Sequence, residues 1–251
     1  MLKRTTPGVF AIIFLIVISG GCSKETETLN SASLSEYLPL KVGTTLIYKL
    51  DSTVYTNLNT VKEIHTYTIK DIIDEEVTDG LGKLSYRIRR MLRDNVDTSV
   101  WYDNASFIIT PLNRSVEFID NNQRYIKLQE PIREDFTWKG NSYINTYSNP
   151  DLQYLDNWEY YYFNVDMPYT LPGMNLDSTF TVIQRDEVLG DPGNKSFYYE
   201  INQASEVYAK GIGLVYKNFL HEAWQPPNIT SVAGYYEPNS YGITLTLIRY
   251  Y

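Results

Sequence analysis

His65 and His221 are the only imidazoles in the 251-residue chain. His221-Glu222 opens like the zinc-protease pattern HExxH, but the fifth position is Gln225, so the second metal ligand is missing. A Ser-His-Asp arrangement can be drawn from distant parts of any chain, yet no G-x-S-x-G elbow occurs to hold a nucleophile. Hydrolysis therefore ranks third among the functions the sequence could serve. Asp74-Glu75-Glu76, with Asp79 nearby, is the densest acid cluster. Glycoside hydrolysis needs two opposed carboxylates about 5–9.5 Å apart. A run this tight reads first as a solvated turn and second as a loose calcium site, since no EF-hand loop is present. Gly211-Ile212-Gly213 lacks the third glycine and the following helix of a phosphate loop. Glycines there instead permit a bulge or a tight start to a strand. No cofactor and no metal centre is expected.

Two patterns could bind without reacting. Arg87, Arg89 and Arg93 share one face of a strand by period two, with Met91 among them and Arg90 turned the other way. Three guanidinium groups on one face could hold an anionic group, or could pair with acids on a neighbouring strand. In Trp158-Glu159-Tyr160-Tyr161-Tyr162-Phe163, alternation sends Trp158, Tyr160 and Tyr162 to one face. Exposed, that set is a platform for sugar rings or a protein partner; covered, it is a core strand.

Cys22 is the only cysteine, which excludes internal disulfides and Cys-based zinc sites. Its setting is telling. Lys3 and Arg4 precede an unbroken apolar decade from Val9 to Ile18, then the small residues Ser19-Gly20-Gly21. This is the three-part grammar of a secretory signal, and the apolar run is too short for a spanning helix. The segment resembles a bacterial lipoprotein signal, with Ser19 where that family usually carries Leu. The resemblance implies cleavage after residue 21 and lipid attachment at Cys22. Ordinary secretion, leaving a free thiol, is the alternative. Ser23-Lys24-Glu25-Thr26-Glu27 resembles the export tags of surface-exposed Bacteroidetes lipoproteins, with Thr26 interrupting the acids.

Removing Lys3 and Arg4 from 22 basic residues leaves 20 against 30 acidic ones. A domain so negative is unsuited to nucleic acid or to an anionic membrane by its own charge. Any membrane attachment falls to the lipid.

Residues 22–36, polar and short of large apolar side chains, read as a flexible tether, and 37–251 as one globular domain. The 23 tyrosines lean the composition towards strands. Strand patterns are read at 46–55, 64–73, 84–92, 99–102, 106–110, 115–119, 124–128, 158–165, 180–188, 196–208, 213–219 and 241–250. Turn residues at 79–82, 121–122 and 191–194 mark hairpins, and Pro168, Pro172 and Gly173 mark a loop. No long amphipathic helix interrupts them. The expected fold is a single mainly-β, antiparallel domain, a sandwich or a curved half-barrel sheet.

Pro39-Leu40-Lys41-Val42-Gly43 with Tyr48 and Asp51-Ser52, and the stretch from Tyr208 to Lys217, resemble uncharacterised Bacteroidetes outer-membrane lipoproteins. The resemblance implies a lipid-anchored β domain on the outer membrane and supplies no catalytic residues; the tag-like residues 23–27 favour the cell surface over the periplasmic side. The expected function is a non-enzymatic module that binds a glycan or protein partner. The alternative is a carrier holding a lipid or other apolar ligand in a curved sheet.

Overall fold

The structure is a computed structural model that describes residues 32–94, 99–229 and 232–251. The expected signal, Cys22 and the first part of the expected tether lie outside these residues.

The strands are β1 (Thr45–Thr56), β2 (Val61–Thr78), β3 (Leu84–Asp94), β4 (Tyr102–Pro111), β5 (Ser115–Asp120) and β6 (Gln123–Gln129). They continue as β7 (Thr137–Trp138), β8 (Tyr160–Leu171), β9 (Met174–Leu189), β10 (Tyr199–Ala209), β11 (Gly213–Gln225), β12 (Tyr235–Tyr236) and β13 (Tyr241–Tyr250). One antiparallel sheet runs β6-β5-β4-β3-β2-β1-β13-β11-β10-β9-β8-β7, with β12 beside β11, and curls into a nearly closed barrel. The curved sheet of the sequence reading is therefore present, and it curls further than a half-barrel.

Two seams join the meanders β1–β6 and β7–β13. At the first, β1 and β13 form a full ladder from Leu46↔Tyr250 to Thr53↔Gly242. At the second, the edges of β6 and β7 meet through few bonds. Ile126 N–H donates to Gly140 O at 2.8 Å, and Trp138 Nε1–H donates to Ile126 O at 2.8 Å. Tyr162 Oη donates to Gln129 O at 2.8 Å from β8. Backbone approach is close here: a Cβ on Gly140 would lie 2.3 Å from the Tyr160 ring.

Several predicted boundaries shift. Expected strands at 99–102 and 106–110 fall together in β4, which starts only at Tyr102. Pro168 lies inside β8 rather than in a loop. It is tolerated because β7 pairs only with Tyr160 and Tyr161, so β8 is an edge strand beyond that point. The loop is confined to Pro172-Gly173, with Gly173 at φ 78°. The paired asparagines Asn121 and Asn122 do form the β5–β6 turn, at φ 47° and 61°. Gly211 and Gly213, at φ 76° and 110°, admit the tight β10–β11 connection, and a bulge lies just beside it where Val207 and Tyr208 pair with β11.

The folded body begins earlier than residue 37. A one-turn helix α1 (Leu34–Tyr37) carries a capping box between Ser33 and Glu36. Leu34 and Tyr37 are buried. Glu36 O accepts from Gly211 N–H at 2.7 Å, and Tyr37 Oη bonds Ser178 Oγ at 2.9 Å. Residues 34–40 thus seat against the barrel end where β1 starts and β10 finishes. At the opposite end, the segment between β7 and β8 contains a 3₁₀ turn (Pro150–Leu155).

The barrel interior divides. On the β7–β10 side it is filled with aromatic rings: Tyr162, Phe180, Tyr208 and Tyr37 meet at centroid distances of 4.7–5.4 Å. Burial of such rings supplies roughly 25 cal/mol per Å² of apolar area and fixes this wall. The β1–β6 side is less full.

Candidate functional site: a charged cavity inside the barrel

Period-two alternation turns Asp71 on β2, Arg90 on β3, Lys127 on β6, Glu206 on β10 and Lys217 on β11 into the lumen. They share a cavity of about 130 Å³. Its remaining wall is apolar, built from Leu38-Pro39-Leu40 of the N-terminal segment and from side chains such as Ile88, Phe107, Ile109 and Leu214. Asp120 also lines it, so three cations face three acids.

The charges are matched in detail. Arg90 grips Asp71 with two parallel bonds, Nε to Oδ1 at 2.7 Å and Nη2 to Oδ2 at 2.6 Å. The same guanidinium lies 4.7 Å from the Phe107 ring centroid. Glu206, 2% exposed, accepts from Lys127 Nζ at 2.8 Å and from Tyr208 Oη at 2.8 Å. Lys217 Nζ stands 3.6 Å from the same carboxylate. Burial alone would raise the Glu206 pKa, but Lys127 and Lys217 outweigh it and hold the group down at about 2. Lys217 is pushed down to about 8, by burial first and then by repulsion from Lys127, against the pull of Glu206. Tyr48 and Tyr208 are raised by burial. Fixed charge of this kind orients a polar group.

The residues singled out from the sequence separate into two places. Arg87, Arg89 and Arg93 do lie on the outer face, opposite to Arg90. Arg87 forks onto Asp74 at 2.9–3.0 Å, and Arg89 onto Asp103 at 2.6–2.9 Å. The Arg93 guanidinium stacks 4.6 Å from the Trp101 ring, with Lys70 also 4.6 Å from that ring. The arginine face is thus engaged by cross-strand acids and an aromatic ring. Trp158, Tyr160 and Tyr162 are each 1% exposed or less, so they form core and no surface platform. Tyr160 Oη donates to Asn141 and Trp158 Nε1 to Tyr154 O, which satisfies their polar atoms in the interior. Of the acid cluster, Asp79 caps its own turn, accepting from Leu81 and Lys83 N–H at 2.8 Å.

Sequence reasoning missed Lys127, Glu206 and Lys217. Each is a charged residue at an inward position of an alternating strand. That mismatch is a readable signal, but their meeting depends on strands far apart in the chain.

Among the described residues no group of three or more His, Cys, Asp or Glu side chains is arranged to hold a metal ion. No helix among them is long and apolar enough to cross a membrane. No protein family matches this sequence, and no curated protein is similar to it.

Proposed function

We propose that the chain is a non-enzymatic binding barrel that takes a small amphiphilic molecule into its lumen, and that lipid on Cys22 tethers it to the surface side of the outer membrane. The observation that carries the lumen reading is the unfilled space of about 130 Å³ between an apolar wall and the Arg90, Lys127 and Lys217 cations. An engineered apolar cavity of about 150 Å³ takes up benzene. The lumen therefore suits a single ring or a short chain bearing one polar group. It falls below the roughly 300–1,000 Å³ of drug-sized sites, so a whole lipid does not fit while Leu38-Pro39-Leu40 is seated. The sequence supports the anchor through the apolar decade and the lone cysteine that follows it. On this reading the ligand binds inside the barrel and not on the outer arginine face, whose guanidinium groups are engaged by cross-strand acids and an aromatic ring.

The test is methyl NMR of the full-length protein titrated with phenol and 1-hexanol. Shifts are expected at Ile88, Ile109, Leu38 and Leu214, and they should vanish when Ile109→Phe fills the cavity. Shifts absent, or confined to outer-face methyls, would overturn the lumen reading. The anchor is tested separately: Cys22→Ala should abolish fatty-acid labelling and membrane association, and unchanged membrane partitioning would refute it.

A further inference from the structure

We propose that a groove at the barrel end opposite α1 is a binding site for an organic ammonium group. It is separate from the lumen cavity and does not depend on that reading. The groove holds about 380 Å³ and lies between the 3₁₀ turn, the start of β10, the end of β11 and the segment that follows β12. Its polar lining is Glu200, His221, Glu237 and Asn239, and its aromatic lining is Tyr154 and Tyr198.

The first argument is charge. Elsewhere in the barrel wall, buried carboxylates meet cations: Asp71 with Arg90, Glu117 with Arg124, Glu206 with Lys127, and Glu222 with Lys62. Among the described residues, Glu200 and Glu237 have only neutral donors. Glu200 accepts from Tyr198 Oη at 2.7 Å and from Asn202 Nδ2 at 2.7 Å. Glu237 accepts from Gln225 Nε2 at 2.6 Å. Two half-buried carboxylates facing one groove with no counter-cation favour a positively charged occupant.

The second argument is His221, which is only 2% exposed. Its Nδ1 lies 2.7 Å from Asn202 Oδ1. Because Asn202 Nδ2 donates to Glu200, its Oδ1 can only accept, so Nδ1 carries the imidazole proton. Burial lowers the His221 pKa, against the pull of Glu200 and Glu237. The ring is therefore neutral at pH 7, and Nε2 presents a lone pair. That nitrogen is buried without a hydrogen-bond partner. The neighbouring Asn239 side chain favours the protonated ring, yet Nε2 makes no hydrogen bond. A buried acceptor left unpaired is costly, and a ligand N–H donor would relieve that cost. Tyr154 stacks on the ring at 3.8 Å and 8°, which fixes its orientation.

Three acceptors and two aromatic rings thus line one groove, with no cation of the chain among them and with His221 Nε2 unpaired. A metal ion is not the fit, because these side chains do not have ligand geometry. An alkyl- or arylammonium supplies both the N–H donors and the positive charge, and the tyrosine rings add cation–π attraction.

The test is calorimetric titration of the full-length protein with benzylammonium and glucosamine, each against its neutral counterpart, benzyl alcohol and glucose. The amines should bind at least about tenfold more tightly than the neutral compounds. Glu237→Gln and Glu200→Gln should each weaken amine binding about tenfold. The ¹⁵N resonance of His221 Nε2 should move on binding in the wild type. Equal binding of glucose and glucosamine would overturn the ammonium assignment in favour of a neutral sugar. Undiminished binding in Glu237→Gln, an unmoved His221 signal, or no binding at all would overturn the site itself.

Discussion

The belt of charges in the lumen and the end groove each draw an acid from β10, yet they are completed differently. Glu206 of β10 meets Lys127 and Lys217, whereas Glu200, six residues earlier on the same strand, meets only Tyr198 and Asn202. In the lumen the chain supplies its own counter-charges, so those groups hold the barrel together. In the groove it supplies none, so the negative charge is left for something else to answer. Acidic residues alone do not distinguish structure from site; the identity of their partners does.

The largest expected effect comes from breaking the belt. Glu206→Gln leaves Lys127 and Lys217 facing each other in the interior and should cost about 3–5 kcal/mol in urea unfolding. A loss under about 1 kcal/mol would show that the belt is hydrated and dispensable. Closing the second seam too tightly should cost somewhat less. Gly140→Ala drives a Cβ into the Tyr160 ring, and an overpacking loss of about 1–3 kcal/mol is expected from the same unfolding measurement.

The pH dependence sharpens the contrast further. Glu206 is held at about 2 against an ordinary 4.5, so its stabilisation is complete above 4.5 and is lost as pH falls towards 2. Lys217 is depressed to about 8 from 10.5, so between those values the unfolded chain binds the extra proton and stability rises with pH. Denaturation midpoints across pH 2–5 should lose the acid-side slope in Glu206→Gln, and across pH 8–10.5 should lose the alkaline rise in Lys217→Met. Wild-type slopes retained in both variants would remove these groups from the account.

The smallest effect is expected in the groove. Glu237 is half-buried with a single neutral hydrogen bond to its carboxylate, from Gln225, and no charge partner among the described residues, so Glu237→Gln should change stability by no more than about 0.5 kcal/mol. A loss comparable to that of Glu206→Gln would make the groove another structural pair and erase the comparison.

Most of the strands were legible because alternation and turn residues act locally. The β13 boundaries, Tyr241–Tyr250, follow from an unbroken β-rich run, and Asn121-Asn122 could turn only where two strands meet. Pro168 misled because its missing N–H matters only where a neighbouring strand needs it, and β7 is too short to need it. Arg90 was correctly set opposite Arg87 and Arg89 by period two, but the same rule could not say which face was the inside. Ser33 and Glu36, three apart, are a capping box that the polar composition of the tether obscured.

The sequence by itself determined an antiparallel β domain of negative charge, because composition, periodicity and turn chemistry are set by residues near one another in the chain. Only the tertiary structure decided that Trp158, Tyr160 and Tyr162 are core. It alone brought Lys127 to Glu206 across 79 residues and, among the described residues, left Glu200 and Glu237 without a cation and His221 Nε2 without a donor. These outcomes depend on how the sheet closes at its two seams. Closure is a property of all the strands at once, and no local pattern encodes which inward faces will meet.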